Sequence, residues 1–383
     1  MSAGPRLAIV GAAAAPSRDS GTLTPAGLMA EAAAAAMRDA SVTKDQIDGL
    51  FSASAYYYLP QMTLGDHLDI RPTYSDSSNI GGCSFIAHLS HAAAAIDAGL
   101  CNVGLIAYAS TQRSDGRRLV KSMTEPLAYE VPYGPMWPLT GFAMMAQRHM
   151  AKFGTTSQQL AEIAVAARAW ALLNPESGQT HPLSVAEVVE SPEICSPLRR
   201  YDCCLVSNGA GALIVTSPER AADLTDRPVH VWSVAETHDS RYVSRLPDYV
   251  TSPAAQTGPR ALADAGVTLD DIDVFGVYDA FTIAVLIALE DLGFCAKGEG
   301  GPFVADGKLR PGGGLPLNTG GGGLSNRHPG MLGIELLLEA VAQLRREGGR
   351  RQVPQAQTAL VHGLGAVHMS GATAVLSRPD WTP

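Results

Sequence analysis

Apolar residues recur along this chain in two periods, and the switches between those periods mark out units of α/β character. LAIVGAAA is a continuous apolar run of strand length. LTPAGLMAEAAAAAMRDA behind it has helical spacing, with a Thr N-cap and a Pro at the first helical position. In SSNIGGCSFIAHLSHAAAAIDAGLCNVGLIAYAS a Gly pair precedes an Ala-rich helix over 84–98, which Gly99 stops, and VGLIAYAS follows as a strand. So smooth a helix packs closely and reads as buried. Between Thr111 and Arg200 strand signals fade and Pro, Met, Trp and Tyr accumulate around one clear helix, TSQQLAEIAVAARAWALL. This stretch reads as an inserted lid or loop region. GALIVTS restores strand character. VHVWSVAE opens a second series: the strand-to-helix run VYDAFTIAVLIALEDLG, the helix GMLGIELLLEAVAQLRREGG with basic residues at its C-terminal end, and the segments ALVHGLGAV and ATAVLSR.

The two series are related. DASVTKDQID (39–48) and DAGVTLDDID (264–273) agree at seven of ten positions, at an offset of 225 residues. Each copy lies between a helix-like segment and an apolar strand-like one. A duplicated helix, turn and strand implies two similar halves, 1–225 with the inserted region at about 111–200, and 226–383.

Composition narrows the function. With 383 residues, 46% hydrophobic and 17% charged, the chain is long enough for two cores and too apolar to be disordered. A formal charge of -9 supplies no basic face for nucleic acid or an anionic membrane, so a small-molecule substrate fits better. The expectations are a cytoplasmic protein with no membrane span, six reduced cysteines, no disulfide and no metal site.

NTGGGGLSNRHPG (318–330) sets four glycines, Gly320 to Gly323, before His328 and Pro329, and then an apolar helix begins. The glycine-preceded helices near Ser84 and Pro329 are counterparts in the two halves. Their N-termini, with unpaired N–H groups, would meet at the interface and stabilise an oxyanion. Gly residues there let the backbone approach a substrate and deliver His328 to it. The plainer reading is a surface turn with an exposed His.

The duplicated halves, the N-x-x-G-G spacing with His-Pro ten residues after Asn318, the SNGAGALIV strand and the ending RRQVPQAQTALVHGLG resemble the thiolase superfamily, in particular sterol-carrier-protein-type thiolases and their non-thiolytic, aldolase-like relatives. The resemblance spans essentially the whole chain. It implies a five-layered αβαβα fold with two mixed sheets around two central helices, a homodimer, acyl-CoA thioester substrates with coenzyme A as the carrier, and a possible small OB-fold/zinc-ribbon partner protein. It also implies that His328 activates a nucleophile and helps hold the oxyanion, with Gly82, Asn318, Gly321 and Gly322 shaping the loop around that oxygen.

The departures from the family matter most. The ungapped position of the thiolase nucleophile is Gly82, and Cys83 is one residue later; it is either the nucleophile after a one-residue shift or an inert packing thiol. Where thiolases carry Asn-Glu-Ala-Phe, this chain has Tyr278, Asp279, Ala280 and Phe281. Tyr278 is either an acid/base and oxyanion donor or a core aromatic. The second thiolase cysteine is replaced near His362, a base candidate or a satisfied core histidine, with His368 a weaker candidate. His88 and His91 share a helix face but lack further ligands in the sequence pattern, and so read as buried and hydrogen-bonded. Lys297 reads as a solvated side chain rather than a phosphate contact. Three functions remain open: degenerate acyltransferase, retro-aldol lyase on a 3-hydroxyacyl-CoA, and acyl-CoA-binding scaffold.

Overall fold

The computed structural model describes residues 4–15, 24–114 and 129–383. The first series comprises β1 (Leu7–Ala15), α1 (Pro25–Asp39), β2 (Gly49–Ser52), α2 (Pro60–Leu68), β3 (Tyr74–Asp76), α3 (Ser84–Asp97) and β4 (Val103–Ser110). α4 (Leu139–Phe153), α5 (Ser157–Ala171), α6 (Val185–Glu190) and the hairpin β5 (Glu193–Cys195) and β6 (Leu198–Arg199) intervene before β7 (Gly209–Thr216) and α7 (Pro218–Ala221). The second series has β8 (Val229–His238), α8 (Ala254–Ala265), β9 (Val274–Val277), α9 (Thr282–Leu292), α10 (Gly300–Val304), α11 (Gly333–Leu344), β10 (Thr358–Gly365) and β11 (Ser370–Ser377).

The strand order is β3-β2-β4-β7-β1-β8-β11-β10-β9. In the first series β1 runs antiparallel to β7 and β7 to β4, while β2 lies parallel to β4 and to β3. The second repeats this: β8 antiparallel to β11, β11 to β10, β9 parallel to β10, and a parallel bridge from Phe275 to Leu317 standing where β3 stands in the first. The two expected sheets are joined edge to edge by three residue pairs between β1 and β8, Leu7 with Val231, Ala8 with His230 and Ile9 with Val229. Strand alternation then sorts the core. Ala8 and Val10 pack with α1 in one apolar cluster, whereas Leu7 and Ile9 belong to the large cluster that holds α3 and α11. α3 touches β2, β4 and β7 as well as β8, β10 and β11, so the sheet folds around it. With α1 and α8 outside, this is the αβαβα arrangement.

The duplicated decapeptide has a physical job. Thr43 with Gln46, and Thr268 with Asp271, form capping boxes on one-turn helices ahead of β2 and β9. The closing aspartates then clamp a neighbouring strand: Asp48 accepts the N–H groups of Asn102 and Val103, and Asp273 those of Gln357 and Thr358. The inserted stretch is more helical than its composition suggested. α4 buries Phe142, Met145, Ala146 and His149 on one face, a stripe that the neighbouring Pro and Tyr residues obscured. Residues 115–128 of that stretch lie outside the described residues.

Candidate active site

Two helices begin against each other at the centre of the molecule. The N–H of Gly333, the first residue of α11, donates to the carbonyl of Gly82 at 3.0 Å. A Cβ on Gly333 would lie 2.2 Å from that oxygen, so only glycine permits the approach. α11 starts at Gly333 rather than at Pro329, because the chain from Arg327 to Leu332 first wraps the Tyr278 phenol. Tyr278 Oη accepts the N–H of Leu332 at 3.2 Å and donates to the Gly330 carbonyl at 3.4 Å.

Tyr278 also answers the question posed by residue 82. A Cβ built on Gly82 would fall 2.2 Å from Tyr278 Cε2 and 2.6 Å from both Cζ and Oη. The phenol therefore fills the space into which any side chain at position 82 would project. Burial raises its pKa well above the ordinary tyrosine value, opposed by the Leu332 N–H, so the hydroxyl is a neutral donor.

His328 meets the Tyr278 ring edge-on, with centroids 5.5 Å apart. Its backbone is pinned by Ser207, whose Oγ accepts the His328 N–H at 3.0 Å and whose own N–H donates to the His328 carbonyl. Nδ1 accepts the Gly330 N–H at 3.3 Å, which assigns the ring proton to Nε2. That Nε2 is buried and has no hydrogen-bond partner among the described residues. Burial lowers the ring's pKa to about 4, so at neutral pH it is an uncharged N–H donor waiting for an acceptor.

The glycine run is shaped by Asp279. Gly321 (φ 96°) presses on Ala171, and a Cβ on Gly322 (φ 57°) would lie 2.1 Å from Asp279 Oδ2. The Asp279 carboxylate accepts the N–H groups of Gly323 and Leu324 at 2.7 and 3.2 Å, while burial pushes its pKa up to about 7. Asn318, expected beside the oxyanion, spends its amide elsewhere: Oδ1 accepts from Val277 N at 2.9 Å and Nδ2 donates to Val277 O at 2.8 Å, clipping the sheet edge at β9.

The other candidates lie apart from this space. Cys83 is fully buried, donates to the Ile80 carbonyl, and lies under β10, where a Cβ on Gly365 would come within 3.2 Å of its sulfur. Burial pushes the thiol up to about 12, opposite to what a nucleophile needs. His362 alternates with Gly363, which faces Cys83, and so projects from the opposite side of β10; there its Nδ1 contacts Thr373 Oγ1 at 2.8 Å and burial lowers its pKa to about 4. His368 packs edge-on to Phe142. Lys297 keeps an exposed side chain but is not free: Nζ is 2.5 Å from Asp291 Oδ1, 3.2 Å from Glu290 Oε2 and 2.7 Å from the Val250 carbonyl. Asp279 and Ser207 stand in the quoted YDAF and SNGAGALIV stretches, but the sequence assigned them no role because both act through contacts over 40 residues away in the chain.

Comparison with known proteins places this geometry in context. A family model described as "Thiolase C-terminal domain-like" matches residues 235–378. An acetyl-CoA acetyltransferase of Methanothermobacter thermautotrophicus is 32% identical, over 92% of this chain and 94% of that protein. A 17-hydroxy-3-oxo-4-pregnene-20-carboxyl-CoA lyase of Mycobacterium tuberculosis is also 32% identical, over 83% of this chain and 86% of the relative. The solved Ltp2-ChsH2(DUF35) aldolase superposes with a TM-score of 0.90 at 29% identity, covering 99% of each chain.

Proposed function

This chain belongs to the thiolase superfamily, and from that membership we propose that it is the lyase variant of a thiolase-like enzyme, cleaving a 3-hydroxyacyl-CoA by a retro-aldol reaction. The observation that carries the reading is the Tyr278 phenol occupying the space over Gly82 where the nucleophile of a thiolase would project. A chain built for acyl transfer needs a thiolate there; this one has a neutral hydroxyl, and its nearest thiol is buried and held protonated.

In the proposed reaction the thioester carbonyl oxygen accepts the free Nε2–H of His328. Tyr278 Oη gives its own proton to Cα as it takes the β-hydroxyl proton and the Cα–Cβ bond breaks, so the phenol never carries two protons. The electron pair of the broken bond, delocalised onto the thioester oxygen as enolate character, ends in the new Cα–H bond, giving a carbonyl compound and a shortened acyl-CoA. The His328 donor stabilises the charge where it develops. The phenol relays one proton and ends as it began. The Leu332 N–H, at the tip of α11, supports charge that builds transiently on the phenol oxygen.

The similarity to a 17-hydroxy-3-oxo-4-pregnene-20-carboxyl-CoA lyase supports a bulky acyl group, and the DUF35-containing neighbour supports a hetero-oligomer in which a small OB-fold/zinc-ribbon chain joins a homodimer of this one. The test is cleavage of a 3-hydroxyacyl-CoA followed by product mass analysis. Tyr278→Phe is expected to lower kcat/KM by ~10²–10⁴-fold with the fold intact. An acetyl adduct on Cys83 after incubation with acetyl-CoA, with Tyr278→Phe unaffected, would instead establish acyl transfer.

A further inference from the structure

The sequence offered His88 and His91 on one face of α3 without partners; the fold supplies them. Asp76, at the end of the edge strand β3, brings a carboxylate so that one ligand atom from each of Asp76, His88 and His91 lies within 4.8 Å of the others. What holds the remaining polar atoms of these side chains decides what the cluster is for.

Each side chain is held at one atom by a group outside the trio. His88 Nε2 is 3.2 Å from the Ser78 carbonyl, which can only accept, so Nε2 carries the proton and Nδ1 bears a lone pair. That Nδ1 is buried and has no hydrogen-bond partner among the described residues, on a residue with no exposed surface. His91 Nε2 faces Glu236 Oε1 on β8 at 3.4 Å, while its Nδ1 is 2.5 Å from Asp76 Oδ2. Asp76 Oδ1 accepts both the N–H and the hydroxyl of Ser78, at 2.7 and 2.9 Å. Two imidazoles and one carboxylate thus each have an outer oxygen partner that fixes tautomer or orientation, the support that metal ligands receive in proteins.

We propose that Asp76, His88 and His91 bind a first-row divalent transition metal of the Zn²⁺, Co²⁺ or Ni²⁺ class through Nδ1 of each histidine and Oδ2 of Asp76, with Glu236 and Ser78 as outer supports. The two-nitrogen, one-oxygen donor set suits these ions and not Mg²⁺ or Ca²⁺. In the metal-free chain a proton shared between Asp76 and His91 takes the ion's place. Ligand atoms around a tetrahedral ion at ~2.0 Å are ~3.3 Å apart, so the Asp76–His91 contact opens slightly as the ion enters. This site is independent of the lyase reading: it joins β3, the body of α3 and β8, away from Tyr278 and His328.

The experiment is calorimetric titration of the chelator-treated, desalted full chain with ZnCl₂ in two buffers of different ionisation enthalpy, together with Co²⁺ absorption spectra. The expected result is one equivalent bound per chain in both buffers. Asp76→Asn and His91→Ala, folded by circular dichroism, abolish it, and Glu236→Gln weakens it ~10–100-fold. Absence of one-equivalent binding to the wild-type chain, or binding undiminished in both ligand variants, overturns the proposal.

Discussion

One added carbon at residue 82 would land inside the Tyr278 ring, so Gly82→Ala tests the arrangement at its smallest scale. We expect a loss of about 1–3 kcal/mol in urea denaturation, the usual cost of overpacking, and activity no higher than that of Tyr278→Phe. In a Tyr278→Ala background the same methyl should cost little, because the two residues compete for one space. His328 supplies a second residue-level test. Burial sets its folded pKa near 4, below the ordinary 6.5, so between those values the unfolded chain takes up the proton first. The stability tied to its neutral form is therefore complete above pH 6.5 and lost as pH falls through 4. We expect the wild-type advantage in urea midpoint over His328→Gln to shrink across that window. Activity of His328→Ala should fall ~10²–10³-fold at pH 7, as for loss of an oxyanion donor.

At the scale of elements, the two central helices depend on glycine at their meeting point. Gly333→Ala would place a methyl 2.2 Å from the Gly82 carbonyl, a backbone atom that cannot rotate away. We expect a lower melting temperature and reduced lyase activity with Tyr278 itself unaltered, read by calorimetry and product assay. Much of this layer was legible in the sequence. The repeated decapeptide announced the duplication because its Thr caps and closing Asp clamps work through neighbours and leave a local signature. α3 and α9 end where Gly99 and Gly293, both at positive φ, follow them. What stayed hidden was long-range. Nothing in HGLG says which side of β10 His362 takes, since that depends on register with Thr373, and nothing near His88 points to an Asp on a three-residue strand. The start of α11 was misplaced because His-Pro followed by Gly reads as a helix entry, whereas those residues turn around the phenol of Tyr278, with Gly330 at positive φ.

Across the whole molecule, the halves share more than a boundary. Arg345, on the turn after α11, reaches Asp39 at the end of α1 at 2.6 Å and the Val10 carbonyl at 2.9 Å, while Arg227 also pairs with Asp39. With α3 packed against strands of both series, the two units share the large central core. We therefore expect a single cooperative transition in calorimetry and in urea; two separated transitions would show that the units fold independently. The seam between β1 and β8 carries one more implication. Leu7 at the start of β1 pairs with Val231, and Ser377 at the finish of β11 pairs with His230, so the first and last strands of the fold flank β8 at the same end, ~10 Å apart by sheet spacing. A short bridge could close the polypeptide into a ring there, and a cut in the turn around Asp226 would reopen it with the second series leading. Either series could then lead, because the nine-strand order of the sheet does not depend on which one comes first along the chain.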